Sequence, residues 1–421
     1  MRNIPAEYDV AIIGAGIVGA SSALWMQPEH KRVLLLDHQS PGSGASSGNA
    51  CTLATYGCIP LNSPGIFRRL PGLMLSKDSP LHIDWRYALS HLPWQMAFLR
   101  NCTAQRVDRI SAHLARLLAL TDTGFDPLIE RCAAVGFIAD RRGCIYIFGS
   151  KKGFEAAQAD TETRRRYGAD IIELSSDEFR DLEPNIRMRV YRALSFHNTR
   201  FLRDPQGLVQ AFVQQFVKDG GEFRQAGVSR VVPNTDDVSV VLDNGSAITC
   251  RKLVIAAGAW SRSIIGSGAE DLPLDTERGY HILFKDHGDL IKQPVAWIEG
   301  GFYATPMGQG LRLAGTVELA GLNPQPTRER IDFLSRKAQQ MFGDIGRPGD
   351  SWLGFRPTFP DSVPVIGPSH RSPRIIFAFG HQHIGMTLGA ATGMLVSELA
   401  ASRTPSVDLT PYSANRFVRK N

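Results

Sequence analysis

The 421-residue sequence is short of several things. It holds no run of about 20 apolar residues, so it offers no segment that could span a bilayer as a helix. Its start, Met1 to Val10, lacks a secretory h-region and passes almost at once into a strand pattern, which predicts a cytoplasmic address and leaves the inner membrane face open. Cysteine is sparse, with six residues at 51, 58, 102, 132, 144 and 250. None forms a Cys-x-x-Cys pair, which argues against a disulfide framework and for reduced, buried thiols. Charge of one sign is also lacking. Lys and Arg number 47 against 41 Asp and Glu, a net +6 that favours a solvated basic surface over a nucleic-acid interface. There are no repeats, no low-complexity segments and no matched metal-ligand set. What remains is ordinary globular composition, 43% hydrophobic, in a chain long enough for two structural units.

The most informative stretch comes first. Tyr8 to Ile13 reads as a strand buried on both faces, followed by Gly14-Ala15-Gly16-Ile17-Val18-Gly19 and a small-residue helix over Ala20 to Met26. A second strand, Arg32 to Leu36, ends in Asp37. Gly14 serves the tight turn, Gly16 the approach of backbone to a pyrophosphate, and Gly19 the packing of helix on strand. The helix N-terminus offers free N–H groups to phosphate, and Asp37 stands where a carboxylate accepts ribose hydroxyls. An acid at Asp37 argues against a 2′-phosphate. The unit alone does not separate NAD from FAD.

Three further segments favour FAD. His38 leads into a Gly/Ser-rich loop, Ser40 to Ala50, whose N–H groups and hydroxyls suit an extended anion; Ser46, Ser47, Gly48, Asn49 and Ala50 are its candidate contacts. A β-meander follows later. Ala226 to Val232 (with Val228 as a contact) and Val238 to Leu242 turn at Asp243-Asn244-Gly245, and Lys252 to Ala256 runs into Ala257-Gly258-Ala259-Trp260. Near the C-terminus the strand Arg374 to Phe379 meets Gly380-His381-Gln382-His383-Ile384-Gly385-Met386-Thr387, with a helix from about 387 to 401. A helix N-terminus there would stabilise negative charge on a reduced flavin.

The order of these segments, with Ser47-Gly48-Asn49-Ala50, Trp94-Gln95-Met96, Arg100-Asn101-Cys102, Gly279-Tyr280, Trp352-Leu353-Gly354-Phe355-Arg356-Pro357, Pro360-Asp361 and Pro364-Val365-Ile366-Gly367, resembles the FAD-dependent D-amino-acid oxidase superfamily, most of all its bacterial D-amino-acid dehydrogenases. The resemblance covers nearly the whole chain. It implies an α/β architecture, a Rossmann-like FAD-binding domain interleaved with an α+β substrate domain on an antiparallel sheet. The cofactor domain is then 1–62, 196–268 and 350–421, and the substrate domain 63–195 and 269–349. Expected substrate-domain elements are strands over Arg131–Ile138 and Gly143–Phe148 and helices over Phe154–Tyr167 and Arg328–Phe342. A helix over Pro205–Asp219, capped by Asp204, feeds the meander.

The resemblance also implies chemistry. An amino or imino acid loses hydride from Cα to the flavin, giving an imine or 2-oxo acid, and an acceptor such as quinone, or O2 in a glycine- or sarcosine-type oxidase, takes the electrons. Arg356 falls on the carboxylate anchor, whose fork suits a carboxylate better than a lysine. Tyr280 is a second carboxylate contact, and His383 a group that takes a proton from the amine or tunes the ring; His381 is its alternative. No cysteine or histidine stands where relatives tether flavin, so dissociable FAD is expected. Gln382, Met386 and Ser362 depart from the dehydrogenase pattern, which makes a cyclic D-imino acid such as D-hydroxyproline a reasonable variant. The aromatic and basic stretch Pro64 to Arg100, including Phe67, Arg68, Arg69, Trp85 and Trp94, suits either its own domain or an anionic membrane. A flavin-binding sensor without turnover is the rival from another class. Oligomeric state is left open.

Overall fold

The computed structural model describes residues 6–62, 64–65, 79–139 and 143–418. Two large sheets organise the chain. The first has eight strands. Tyr8–Ile13 is flanked by Val33–Asp37 and by Ala247–Ile255, both parallel to it, and Glu222–Gln225 extends the sheet beyond Val33–Asp37. Ala247–Ile255 continues antiparallel into Val238–Leu242 and Val228–Pro233, the expected meander, and pairs in parallel with Ile375–Phe379. Val10, Ala11, Ile12 and Leu34 to Leu36 have no exposed surface, as parallel strands covered on both faces require.

The helix Ile17–Met26 covers one face and packs against the last long helix, Gly385–Ala400. Glycine lets the two approach. A Cβ on Gly389 would lie 2.6 Å from Ile17 Cγ1, and one on Gly393 would lie 2.8 Å from the Ser21 backbone. The helix Pro205–Lys218 lies on the other side of Ile17–Met26, its N-cap Asp204 accepting from Gly207 N.

The second sheet has nine strands, in the order Asp350–Thr358, Asp275–Phe284, Gly310–Leu319, Phe302–Met307, Val295–Trp297, Ile145–Phe148, Arg192–Ser195 and Ile172–Leu174, with Leu81–Ile83 beside Gly310–Leu319. It is mainly antiparallel, and the helix Arg328–Phe342 covers one face. Asp350–Thr358 belongs to this sheet, so the chain passes to the first sheet after Thr358 rather than at residue 350.

Two expected elements differ. Arg131–Ile138 is not a strand. The helix Thr121–Arg131 ends there, a 3-10 turn takes Ala134–Phe137, and only Ile138–Ala139 is extended. Its short apolar run carries no clear period, and Arg131 is fixed by an ion pair to Asp219 at 2.6 Å. The expected helix over Phe154–Tyr167 is two, Lys151–Ala156 and Gln158–Arg166, the first capped by Ser150. Phe67, Arg68 and Arg69 lie outside the described residues. No helix among the described residues is long and apolar enough to cross a membrane.

Candidate active site

A cavity of about 640 Å³ runs between the two sheets. At one end lie Gly14, Gly16, Ile17 and Val18, with Asp37 and His38 beside them. Gly14 takes φ +107°, and a Cβ there would sit 2.4 Å from the Ala256 carbonyl oxygen. Asp37 is occupied on both oxygens, accepting from Ala15 N at 2.7 Å and Gln39 N at 2.9 Å. Gly19 does not reach the cavity. A Cβ on it would strike the Gly14 carbonyl, so it serves helix packing. Val228, Ala257, Gly258 and Trp260 line the wall from the meander side.

The Gly/Ser loop forms the middle. Ser46, Gly48, Asn49 and Ala50 border the cavity, and Ser46 Oγ accepts from Ile17 N at 2.9 Å, tying the loop to the first helix. Ser47 instead turns inward, its hydroxyl donating to the Gly44 carbonyl. Residues that the sequence reading missed hold this loop. Arg312 donates to the Ser47 and Asn49 carbonyls at 2.8 and 3.2 Å. His281 Nδ1 lies 3.0 Å from the Gly48 carbonyl, its ring stacked on Trp352, and burial lowers its imidazole to about 3. Neutral, it donates that Nδ1–H. Gly48 itself lies on Trp352, where a Cβ would come within 2.2 Å of the indole.

The far end collects the titratable groups. His383, Ile384, Gly385, Met386 and Thr387 border it at the start of the last helix, and Thr387 Oγ1 accepts from Ala54 N at 3.0 Å. Gly380 stays behind this turn at φ +89°, against the Phe359 ring. His383 is exposed, but to the cavity interior rather than to bulk water. Enclosure, then the charges of Arg356 and Arg164, lower its imidazole to about 4, so it is neutral at pH 7. His381 is buried, with Nε2 2.9 Å from Thr392 Oγ1, and is lowered to about 3 by burial.

Arg356 reaches the same space. Its Nη1 donates to the Thr316 carbonyl at 3.0 Å, and its guanidinium lies over Gly279, where a Cβ would come within 2.3 Å of Nη2. Gly279 therefore makes room for the arginine. Directly across the ladder from Arg356 stands Glu277, 4% exposed and bordering the cavity. Burial raises its carboxyl to about 7, against the opposing pull of Arg356.

Tyr280 is not part of this site. It is 1% exposed, absent from the cavity wall, and its hydroxyl donates to Glu318 while accepting from Thr327 N. Arg278, on the same face, pairs with Glu318 at 3.3 Å. Strand alternation explains the correction. Residues 277, 279 and 281 face the cavity and loop, so 278 and 280 face the opposite core. The same period, applied to Glu277-Arg278-Gly279-Tyr280, could have found Glu277. Arg164, Tyr146 and Tyr303 also border this end, and no signal in the sequence places them there.

A phosphate-sized approach at Gly14–Val18, an acid at the second strand end, and a long cavity ending at a helix N-terminus fit FAD. The family model described as FAD dependent oxidoreductase matches residues 9–399. A D-amino-acid oxidase of Bradyrhizobium diazoefficiens is 33% identical across 99% of this chain and 100% of its own length. D-amino acid dehydrogenase 2 of Ralstonia nicotianae is 27% identical, covering 97% of this chain and 100% of that one. Glycine oxidase from Geobacillus kaustophilus superposes with a TM-score of 0.74 at 21% identity, over 99% of this chain and 100% of that chain, a likeness of fold. The chain belongs to the FAD dependent oxidoreductase family, and its cofactor is FAD.

Proposed function

We propose that this enzyme oxidises the carbon–nitrogen bond of a D-amino acid or a cyclic D-imino acid, D-hydroxyproline among them. The observation that carries the reading is Arg356, a guanidinium held in the cavity beside the His383 turn by the Thr316 carbonyl, its one hydrogen bond among the described residues. Its remaining donors suit a carboxylate bidentately. The D configuration draws support from the names of the two curated relatives.

Gly14 to Val18, Asp37, the Ser46–Ala50 loop, Val228, Ala257 to Trp260 and the His383–Thr387 turn would hold the FAD, which supplies a two-electron acceptor. The chain's own groups do the rest. Arg356 fixes the substrate carboxylate and so the facing of Cα. Neutral His383 accepts a hydrogen bond from the substrate amine, which binds uncharged with its lone pair free to form the C=N bond as hydride leaves Cα. Glu277 balances the Arg356 charge until the carboxylate arrives. Water then hydrolyses an acyclic imine to the 2-oxo acid, while a cyclic imine persists. We also propose dissociable FAD. Among the described residues only one cysteine, Cys51, borders the cavity, and burial raises its thiol.

The test is to mix the yellow holoenzyme anaerobically with D- and L-amino acids, D-prolines, sarcosine and glycine while following the flavin band near about 450 nm. Bleaching by D-compounds supports the reading, and bleaching by L-compounds or glycine alone overturns it. The acceptor is tested in air: a dehydrogenase releases little hydrogen peroxide, an oxidase one equivalent per turnover. A lipid surface is proposed as a docking partner, because Trp85, Leu89, Leu92 and Met96 are exposed on two short helices with Arg86 and Arg100. Failure to sediment with anionic vesicles would remove it.

A further inference from the structure

Three consecutive arginines end the helix Gln158–Arg166, and two are accounted for. Arg165 pairs with Glu162 at 3.6 Å and Arg166 with Asp108 at 3.0 Å. The Arg164 side chain makes no ion pair or hydrogen bond among the described residues, although Asp160 stands one turn before it, and its Nε is buried without a partner. Its guanidinium lies 5.6 Å from the centre of the Tyr146 ring, and it borders the same cavity as Arg356. Tyr146 and Tyr303 join hydroxyls beside it at 2.7 Å.

An arginine cannot relieve partial desolvation by losing its proton, so a cation placed this way is satisfied by an anion. That anion is not the cofactor's pyrophosphate. Arg164 stands over Tyr146, on a strand of the second sheet, whereas the Gly14–Gly19 turn follows the first strand of the other sheet. His383 feels both arginines, which places it within the field of each.

Building on the proposed amine oxidation at Arg356, we infer that Arg164 is a specificity residue that receives a second acid group, so that the preferred substrate is a dicarboxylic amino or imino acid. Arg356 takes the α-carboxylate and Arg164 the side-chain carboxylate. The Tyr146–Tyr303 pair supplies a hydroxyl donor beside it. A neutral substrate such as D-hydroxyproline leaves Arg164 without its counter-ion and is the poorer ligand. No atom of the reaction passes through Arg164.

The test compares D-glutamate with its neutral isostere D-glutamine, or the L pair if the anaerobic panel selects L, in the holoenzyme and in Arg164→Gln and Arg164→Lys. Wild type is expected to favour glutamate in kcat/KM by about tenfold to a hundredfold, the worth of a charge-assisted contact. Arg164→Gln should bring that ratio close to one, mainly through KM, and Arg164→Lys should restore part of it. A second readout needs no turnover: glutarate should perturb the flavin absorbance at lower concentration than butyrate, and the difference should vanish in Arg164→Gln. A wild-type preference for glutamine, or a ratio that Arg164→Gln leaves untouched, overturns the inference. If no amino acid bleaches the flavin yet glutarate still binds through Arg164, the amine-oxidation reading fails and the second anion site stands.

Discussion

Single side chains divide here into those that face the cavity and those that only look catalytic in sequence. Arg356→Lys keeps the charge but loses the fork, and kcat/KM for the bleaching substrate should fall by about tenfold to a hundredfold in steady-state assays. Tyr280→Phe should behave oppositely. It removes a buried hydroxyl between Glu318 and Thr327, so thermal denaturation should show a loss of about 1–3 kcal/mol while KM stays at the wild-type value. Glu183 gives a pH signature away from the site. Burial raises its carboxyl from 4.5 to about 7, although it accepts from Lys292 N. Its contribution to folding is fully present below 4.5 and is lost as pH rises through about 7, where the buried group ionises. The melting-temperature advantage of wild type over Glu183→Gln should therefore shrink between about pH 5 and pH 8, and a constant gap would refute the assignment. Arg356 was legible in the sequence because its segment has a fixed motif. Glu277 was half-legible, through strand alternation. Arg164 was not, because its helix reaches the cavity only through tertiary packing.

At the scale of elements, close helix contact is the controlling feature. The last helix lies against Ile17–Met26 through Gly389 and Gly393, and against Thr121–Arg131 through Gly124, whose Cβ would come within 2.4 Å of Ala391 N. Gly393→Ala should force these backbones apart at a cost of about 1–3 kcal/mol, read as a lower melting temperature. Because Ile17–Met26 borders the cavity at the end proposed for the FAD phosphates, titration of the apoprotein should also show weaker FAD binding. The first strand–turn–helix, the meander and the C-terminal turn were readable because each has its own backbone chemistry: glycine turns, an Asn-Gly hairpin, a β-rich run. The stretch after Arg131 was not, since an apolar run without a period is decided by what packs on it.

In the whole molecule, the cavity proposed to hold FAD is lined from both sheets, so ligand and fold are linked. Stripping FAD should lower the melting temperature, and returning it at about a hundred times its dissociation constant should restore roughly 2.7 kcal/mol. A melting temperature indifferent to FAD would mean that the cavity does not join the sheets energetically. The broad architecture followed from the resemblance, but the crossing near Thr358 did not, because Arg356 sits in a motif shared with the cofactor side while its strand pairs with the other sheet. The interleaving also bears on synthesis. Ala247–Ile255 is covered along one edge by Tyr8–Ile13, and part of its other edge waits for Ile375–Phe379. A nascent chain therefore leaves the ribosome with that edge unpaired until nearly nine-tenths of it has been made. Chaperone supply should then help to set the yield of active enzyme in a foreign host.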